Sequence, residues 1–128
     1  MIKGYCAMAG DIIHPGHINF LKTCKFFCDW LVVGVMTDEA IEGYKGKKPI
    51  MTYTERVVII ENIKVFDEIS PQNTFEYSSI MLHSPFKPDI IFDSIEHKRE
   101  TGVTERMLIK YTEGISSTII KERIRKAK

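Results

Sequence analysis

The sequence has almost no net charge: eighteen lysines and arginines stand against seventeen aspartates and glutamates, leaving a formal +1. A protein that grips nucleic acid concentrates basic charge on one face and usually shows it in the total. No nucleic-acid partner is therefore expected, and any anion site must be local. No apolar run approaches the roughly 20 residues needed to cross a bilayer, and Met1-Ile2-Lys3-Gly4-Tyr5 lacks the apolar core of a signal peptide. The expectation is a cytoplasmic chain with no membrane partner. Cysteine is scarce and odd in number: Cys6, Cys24 and Cys28 lie in apolar segments, where free thiols behave as small hydrophobes. That argues for a reducing compartment. Cys24 and Cys28 stand one helical turn apart, but no further His or Cys nearby completes a tetrahedral metal set. Repeats, linkers and low-complexity segments are missing as well.

What is present is enough for one domain, spanning 1–128, with one core: 128 residues, 44% of them hydrophobic. Short apolar runs alternate with helical periodicity from end to end, the pattern of an α/β domain with a parallel sheet. Strands are expected at residues 2–8, 30–36, 66–69, 89–92 and 107–110. Leu31-Val32-Val33-Gly34-Val35 shows no polar alternation, as a strand covered on both faces should, and is expected to be central. Ile18, Leu21, Cys24 or Lys25, and Cys28 follow helical spacing, with Phe20 and Phe27 widening the stripe, which predicts a largely buried first helix. Thr52 and Glu55 form a capping-box pattern ahead of a helix whose core face is expected to be Val58, Ile59, Ile60 and Ile63. A further helix is predicted over 74–83, closed by Pro85 and Pro88. The last helix is predicted to start near Ser116 and to end in the basic run Arg125-Lys126-Lys128, which suits the negative end of the helix dipole. Residues 94–106 form the most charged and least regular stretch, placed where a loop over a site would lie.

The chemistry gathers in two places. Met8-Ala9-Gly10-Asp11-Ile12-Ile13-His14-Pro15-Gly16-His17 joins the first strand to the first helix, and ligands of parallel α/β sheets bind at that edge beside a helix start. Ala9 and Gly10 are small enough to let a ligand approach the backbone. His14 and His17, three residues apart, project to one side and can both donate to a phosphate chain. They suit stabilisation of charge on a phosphoryl group in its transition state, with no covalent intermediate. Near the other end, Thr112-Glu113-Gly114-Ile115-Ser116-Ser117-Thr118 follows a strand and opens a helix, offering backbone N–H groups and hydroxyls to a further anion.

These motifs, together with Thr37-Asp38-Glu39, Tyr44-Lys45-Gly46-Lys47-Lys48-Pro49, Glu55-Arg56 and Asp67-Glu68, occur in the order seen in glycerol-3-phosphate cytidylyltransferases. The chain also resembles the catalytic domains of choline-phosphate and ethanolamine-phosphate cytidylyltransferases, members of the HxGH nucleotidyltransferases. That resemblance implies a single Rossmann-like three-layer α/β domain with a five-stranded parallel sheet, of the HUP/nucleotidyltransferase type. It implies transfer of CMP from CTP to a small phosphorylated alcohol, glycerol 3-phosphate as first candidate, with Mg²⁺ bound among the CTP phosphates.

By position, the resemblance makes His14, His17 and Lys45 the catalytic residues, Lys45 matching a mobile-loop lysine that bridges CTP and acceptor, with Lys47 or Lys48 assisting. Nucleotide contacts fall on Ala9, Gly10, Asp11, His14, His17 and the segment Thr112, Glu113, Gly114, Ile115, Ser116, Ser117 and Thr118. Acceptor contacts fall on Lys45, Lys64 and Glu96, with Asp93 an alternative to Glu96. A homodimer is implied as well. Three positions depart from the family pattern. Tyr111 and Lys64 replace arginines, and Met8-Ala9-Gly10-Asp11 replaces Gly-Thr-Phe-Asp or Gly-Val-Phe-Asp. Two other readings stay open: an adenylyltransferase of the same fold, and a non-catalytic nucleotide-binding module.

Overall fold

A computed structural model of the chain describes residues 1–76, 87–94, 105–110 and 112–127. In chain order they form β1 (Lys3–Met8), α1 (Pro15–Phe26), β2 (Trp30–Met36), α2 (Asp38–Lys45), α3 (Tyr53–Ile60), β3 (Glu68–Gln72), β4 (Ile90–Ser94), β5 (Glu105–Ile109) and α4 (Ser117–Lys126). The five strands make one parallel sheet in the order β3-β2-β1-β4-β5. All five expected strands are present. β3 is displaced towards the C-terminus, because Asp67 is taken up by hydrogen bonds from Leu31 N (2.8 Å) and Lys25 Nζ (2.7 Å) and the ladder starts after it. β2 is an interior strand with Leu31 to Met36 all buried, but the middle place belongs to β1.

Alternation along the strands sends side chains to two faces. Cys6, Met8, Leu31, Val33, Val35 and Phe92 pack with Leu21 and Cys24 of α1 and Ile60 of α3, while Tyr5, Ala7, Val32 and Ile91 cluster on the other face. The expectation of a largely buried α1 is corrected. Only Leu21 and Cys24 are buried, and Phe26 is 82% exposed, because the helix lies on the sheet along a single stripe and Phe26 falls outside it. α3 corrects a second expectation. Val58 and Ile59 face solvent, and the inward positions are Ile60 and, one turn earlier, Arg56. The capping box is as expected: Thr52 Oγ1 accepts from Glu55 N and Glu55 Oε1 from Thr52 N. Residues 74–76 are not helical. The remainder of the helix expected over 74–83, Pro85, and residues 95–104 of the charged stretch lie outside the described residues.

α2 was not anticipated, although its signals are ordinary. Thr37 caps it, with Oγ1 accepting from Ala40 N, and Asp38 and Glu39 occupy the first turn. Gly46, in the left-handed conformation at φ 78°, ends it and donates to Glu42 O.

The fully buried Arg56 ties these elements together. Its guanidinium donates to Met51 O (3.1 Å), Ala9 O (2.7 Å), Met36 O (2.6 Å) and Asp38 Oδ1 (2.7 Å), so one side chain joins the exits of β1 and β2, the first turn of α2 and the approach to α3. A charge this deep persists only when its donors are matched, and here they are. Arg56→Met keeps the length but strands those acceptors, and should lower the unfolding free energy by about 2–4 kcal/mol. Val58→Lys on the same helix should change it by less than about 0.5 kcal/mol. Urea denaturation of the two variants checks the contrast; equal stabilities would remove Arg56 from the framework.

Candidate active site

Strand order reverses beside β1: the chain runs outward through β2 to β3, then returns to place β4 on the other flank of β1. Side chains at the carboxyl ends of strands that diverge in this way leave a crevice, the usual ligand position in such sheets. A cavity occupies it, floored by Ala7 to Asp11 at the end of β1 and the turn that follows, and by Asp93 and Ser94 at the end of β4. Its walls are the start of α1, the end of α2 and the start of α4.

His14 and His17 stand in this cavity and cap α1 as a reciprocal pair. His14 Nδ1 accepts from Gly16 N at 3.0 Å, and His17 Nδ1 accepts from His14 N at 3.2 Å, with ring centroids 4.0 Å apart. A nitrogen that accepts has no proton, so both rings carry theirs on Nε2, the atom left to donate outward. Burial lowers the pKa of His14. His17 is pushed down to about 4, first by burial and further by the neighbouring His14 and Lys45. At neutral pH the pair is uncharged and donates through two N–H groups. The amides that would have cradled an anion at the start of α1 are engaged instead: Gly16 N by the His14 ring and His17 N by His14 O (3.0 Å). In this helix the rings, not the backbone, face a ligand.

Gly16 is required by the same geometry. A Cβ there would lie 2.7 Å from His14 Cε1 and 2.9 Å from its Nδ1, and 3.5 Å from Ile115 Cγ2. Ile115 thus seats the start of α4 against the start of α1, and Asn19 Nδ2 donates to Thr112 Oγ1 at 3.1 Å along the same seam. Ser116 caps α4, its Oγ accepting from Ile119 N; Ser116 and Ser117 line the cavity. α2 and α3 carry acidic residues in their first turns, whereas α1 and α4, the two helices that begin at the cavity, carry none. Their positive ends are left for a negatively charged ligand to complement.

Of the residues expected from sequence, Ala9, Gly10, Asp11, His14, His17, Lys45, Thr112, Ile115, Ser116 and Ser117 meet around this cavity. Asp11 does so by shaping the wall, since its two oxygens accept from Ile50 N (2.9 Å) and Met51 N (2.8 Å). Lys45 is the last residue of α2 rather than part of a loop, with its ammonium over the Tyr44 ring. Glu113, Gly114 and Thr118 do not line the cavity. Glu113 is exposed beside Lys110 Nζ at 3.1 Å, and Gly114 supplies the turn at φ 79°. Lys64 is exposed on the connection into the amino end of β3, the opposite edge of the sheet, as the direction of a parallel strand requires; Lys47 and Lys48 also lie outside the cavity. Glu96 and Tyr111 lie outside the described residues. Asp93, 1% exposed, does reach the cavity, and its Oδ1 accepts from Ser94 N. Sequence reading missed Phe20, Tyr44 and Lys121. Lys121 had a legible signal, four residues beyond Ser117 and so on the same helix face.

Comparison with known proteins agrees with the fold. The family model described as cytidylyltransferase-like matches residues 11–123. The glycerol-3-phosphate cytidylyltransferase of Bacillus subtilis is 36% identical over 118 residues, covering 89% of this chain and 90% of that protein. The bifunctional protein HldE of Helicobacter pylori is 30% identical over 122 residues, 91% of this chain and 26% of that protein. The chain spans about a fifth to a quarter of the length of such HldE relatives. The crystal structure of a lipopolysaccharide core biosynthesis protein from Thermoplasma volcanium superposes with a TM-score of 0.73 at 27% identity, covering 88% of this chain and 99% of that one.

The depressed His17 pKa carries a pH signature. The unfolded chain takes up the proton first, so the stability contributed by the neutral ring is complete above about pH 6.5 and drains away as the pH falls towards about 4. An NMR titration of the histidine rings should place the His17 midpoint near 4. A midpoint at the ordinary 6.5 would mean that the ring is not held as described.

Proposed function

The chain belongs to the cytidylyltransferase-like family, and from that premise we propose that it transfers a cytidylyl group from CTP to a small phosphorylated alcohol, glycerol 3-phosphate first, with release of pyrophosphate. The observation that carries this reading is the pair of uncharged imidazoles, their Nδ1 atoms taken by the backbone and their Nε2 atoms left to donate, that line a cavity with Ser116, Ser117 and Lys45. The acceptor end of the reading rests on the relative from Bacillus subtilis, whose name states glycerol 3-phosphate and which this chain matches along nearly its full length.

In this reaction a phosphate oxygen of the acceptor attacks the α-phosphorus in line. The new P–O bond forms as the bond from the α-phosphorus to the bridging oxygen breaks, and that electron pair leaves with pyrophosphate. A phosphate monoester is already an anion at neutral pH, so the attacking oxygen requires no general base. What the protein supplies is donors positioned where charge grows. His14 and His17 donate to the phosphate chain without first losing a proton, and their Nδ1 atoms are locked by the backbone, so little reorganisation accompanies the transition state. Lys45, reaching in from the end of α2, brings positive charge to the entering and leaving phosphates. Ser117, at the start of α4 where an amide has no intrahelical acceptor, lines the same cavity. Asp93, which lines the cavity, is the carboxylate that would help hold a Mg²⁺ arriving with CTP, and such an ion would supply charge to offset that of the leaving pyrophosphate.

The test is pyrophosphate release from CTP, ATP and UTP crossed with glycerol 3-phosphate, choline phosphate and ethanolamine phosphate. CTP with glycerol 3-phosphate should be the fastest pair, and His17→Ala should lower its kcat by about 10²–10³. Faster turnover of ATP would move the chain to the adenylyl-transferring reading, and no release from any pair would leave a binding module.

A further inference from the structure

The cavity contains a cation that the mechanism above does not use. Lys121 lies on α4 one turn beyond Ser117, and both side chains line the cavity with His14 and His17. Lys25, Lys110 and Arg125 each meet a carboxylate, but among the described residues Lys121 pairs with none. A half-buried ammonium with no carboxylate partner among the described residues is a ready contact for an anion in the cavity. Its position sharpens the point. It sits in the second turn of a helix whose first turn has no acidic residue to pair with it.

The ligand proposed above makes a matching demand. A nucleoside triphosphate brings several negative charges, and the two histidines, being neutral, offset none of them. Lys45 approaches from the end of α2, and Lys121 lines the same cavity from α4. We propose that Lys121 is a catalytic residue whose ammonium binds the polyphosphate chain of the nucleotide, so that the chain is held between cations on α2 and α4 with the imidazole donors beside it. The proposal rests on the nucleotide-transfer reading only in taking the ligand to be a polyphosphate; it is silent on the base and the acceptor.

The experiment therefore uses a ligand with no base. Inorganic tripolyphosphate, and separately CTP and CMP, are titrated by calorimetry into wild type, Lys121→Gln, Lys121→Arg and Lys126→Gln. The last variant removes the same charge from the far end of α4. Lys121→Gln should weaken tripolyphosphate and CTP about tenfold or more, with CMP changed far less, because what is lost is a charge-assisted contact to the outer phosphates. Lys121→Arg should recover most of that loss, Lys126→Gln should match wild type, and kcat/KM for pyrophosphate release should fall in parallel in Lys121→Gln. Unchanged tripolyphosphate affinity in Lys121→Gln, a loss no larger than that of Lys126→Gln, or equal weakening of CTP and CMP would each overturn the proposal. Tripolyphosphate binding that depends on Lys121 without turnover of CTP would sink the cytidylyl reading and leave the lysine's role standing. Turnover of CTP that is indifferent to Lys121→Gln would do the reverse.

Discussion

One buried guanidinium sets the shape of the reactive edge. Arg56 holds Ala9 O, Met36 O, Met51 O and Asp38 Oδ1 at once, so the exits of β1 and β2 and the first turn of α2 cannot drift apart without breaking several charge-assisted hydrogen bonds. Asp11 fixes the same loop from the other side through Ile50 N and Met51 N. Everything that faces the cavity from the first half of the chain hangs from this frame: His14 and His17 follow Asp11 by a few residues, and Lys45 ends the helix that Asp38 begins. These carbonyls and amides belong to irregular backbone with no ladder to join, and a buried polar group left unpaired there would cost more than a lost contact. A single planar donor with several N–H groups solves that problem where several smaller side chains would not fit.

The histidine pair shows how one set of atoms meets two requirements. The first turn of a helix has amides without acceptors, and a side chain that caps it usually brings an oxygen. Here the caps are ring nitrogens, and capping settles which nitrogen of each ring keeps its proton. Helix stability and the chemical state of the reactive groups are thereby one fact. It also explains why burial, which keeps His17 neutral, is compatible with its proposed part: a neutral ring in this tautomer is already the donor that a phosphate oxygen needs.

The sheet was legible because apolar runs such as Leu31 to Val35 admit little other than a covered strand, and the cavity because the turn carrying His14, Gly16 and His17 leaves a parallel strand at its carboxyl end, where such sheets open a crevice. What was misread follows from physical limits on sequence patterns. Val58 and Ile59 are as apolar as Ile60, and nothing local says which side of α3 the sheet will cover; the unexpected occupant of that side was an arginine, whose inward turn depends on carbonyls supplied by distant residues. α2 is short and mostly polar, so its caps were its only signals. Lys64 was carried over by alignment of motifs, but a residue leading into a parallel strand stands at the amino edge, across the sheet from the cavity. Asp67 similarly belongs to that lower edge, where it binds Lys25 and Leu31 N. Lys121 drew no attention in the sequence, although its register with Ser117 separates it from Arg123, Arg125 and Lys126.

The contact between Asn19 and Thr112 joins positions 93 apart in the chain, and β1 finds its partner β4 only after everything between them has been made. Closing so long a loop is paid for in entropy before any contact repays it. A growing polypeptide on the ribosome therefore carries both histidines long before it has a pocket, since the cavity is complete only when α4 settles beside α1. Ligand present at that moment favours the finished fold over every partly assembled one.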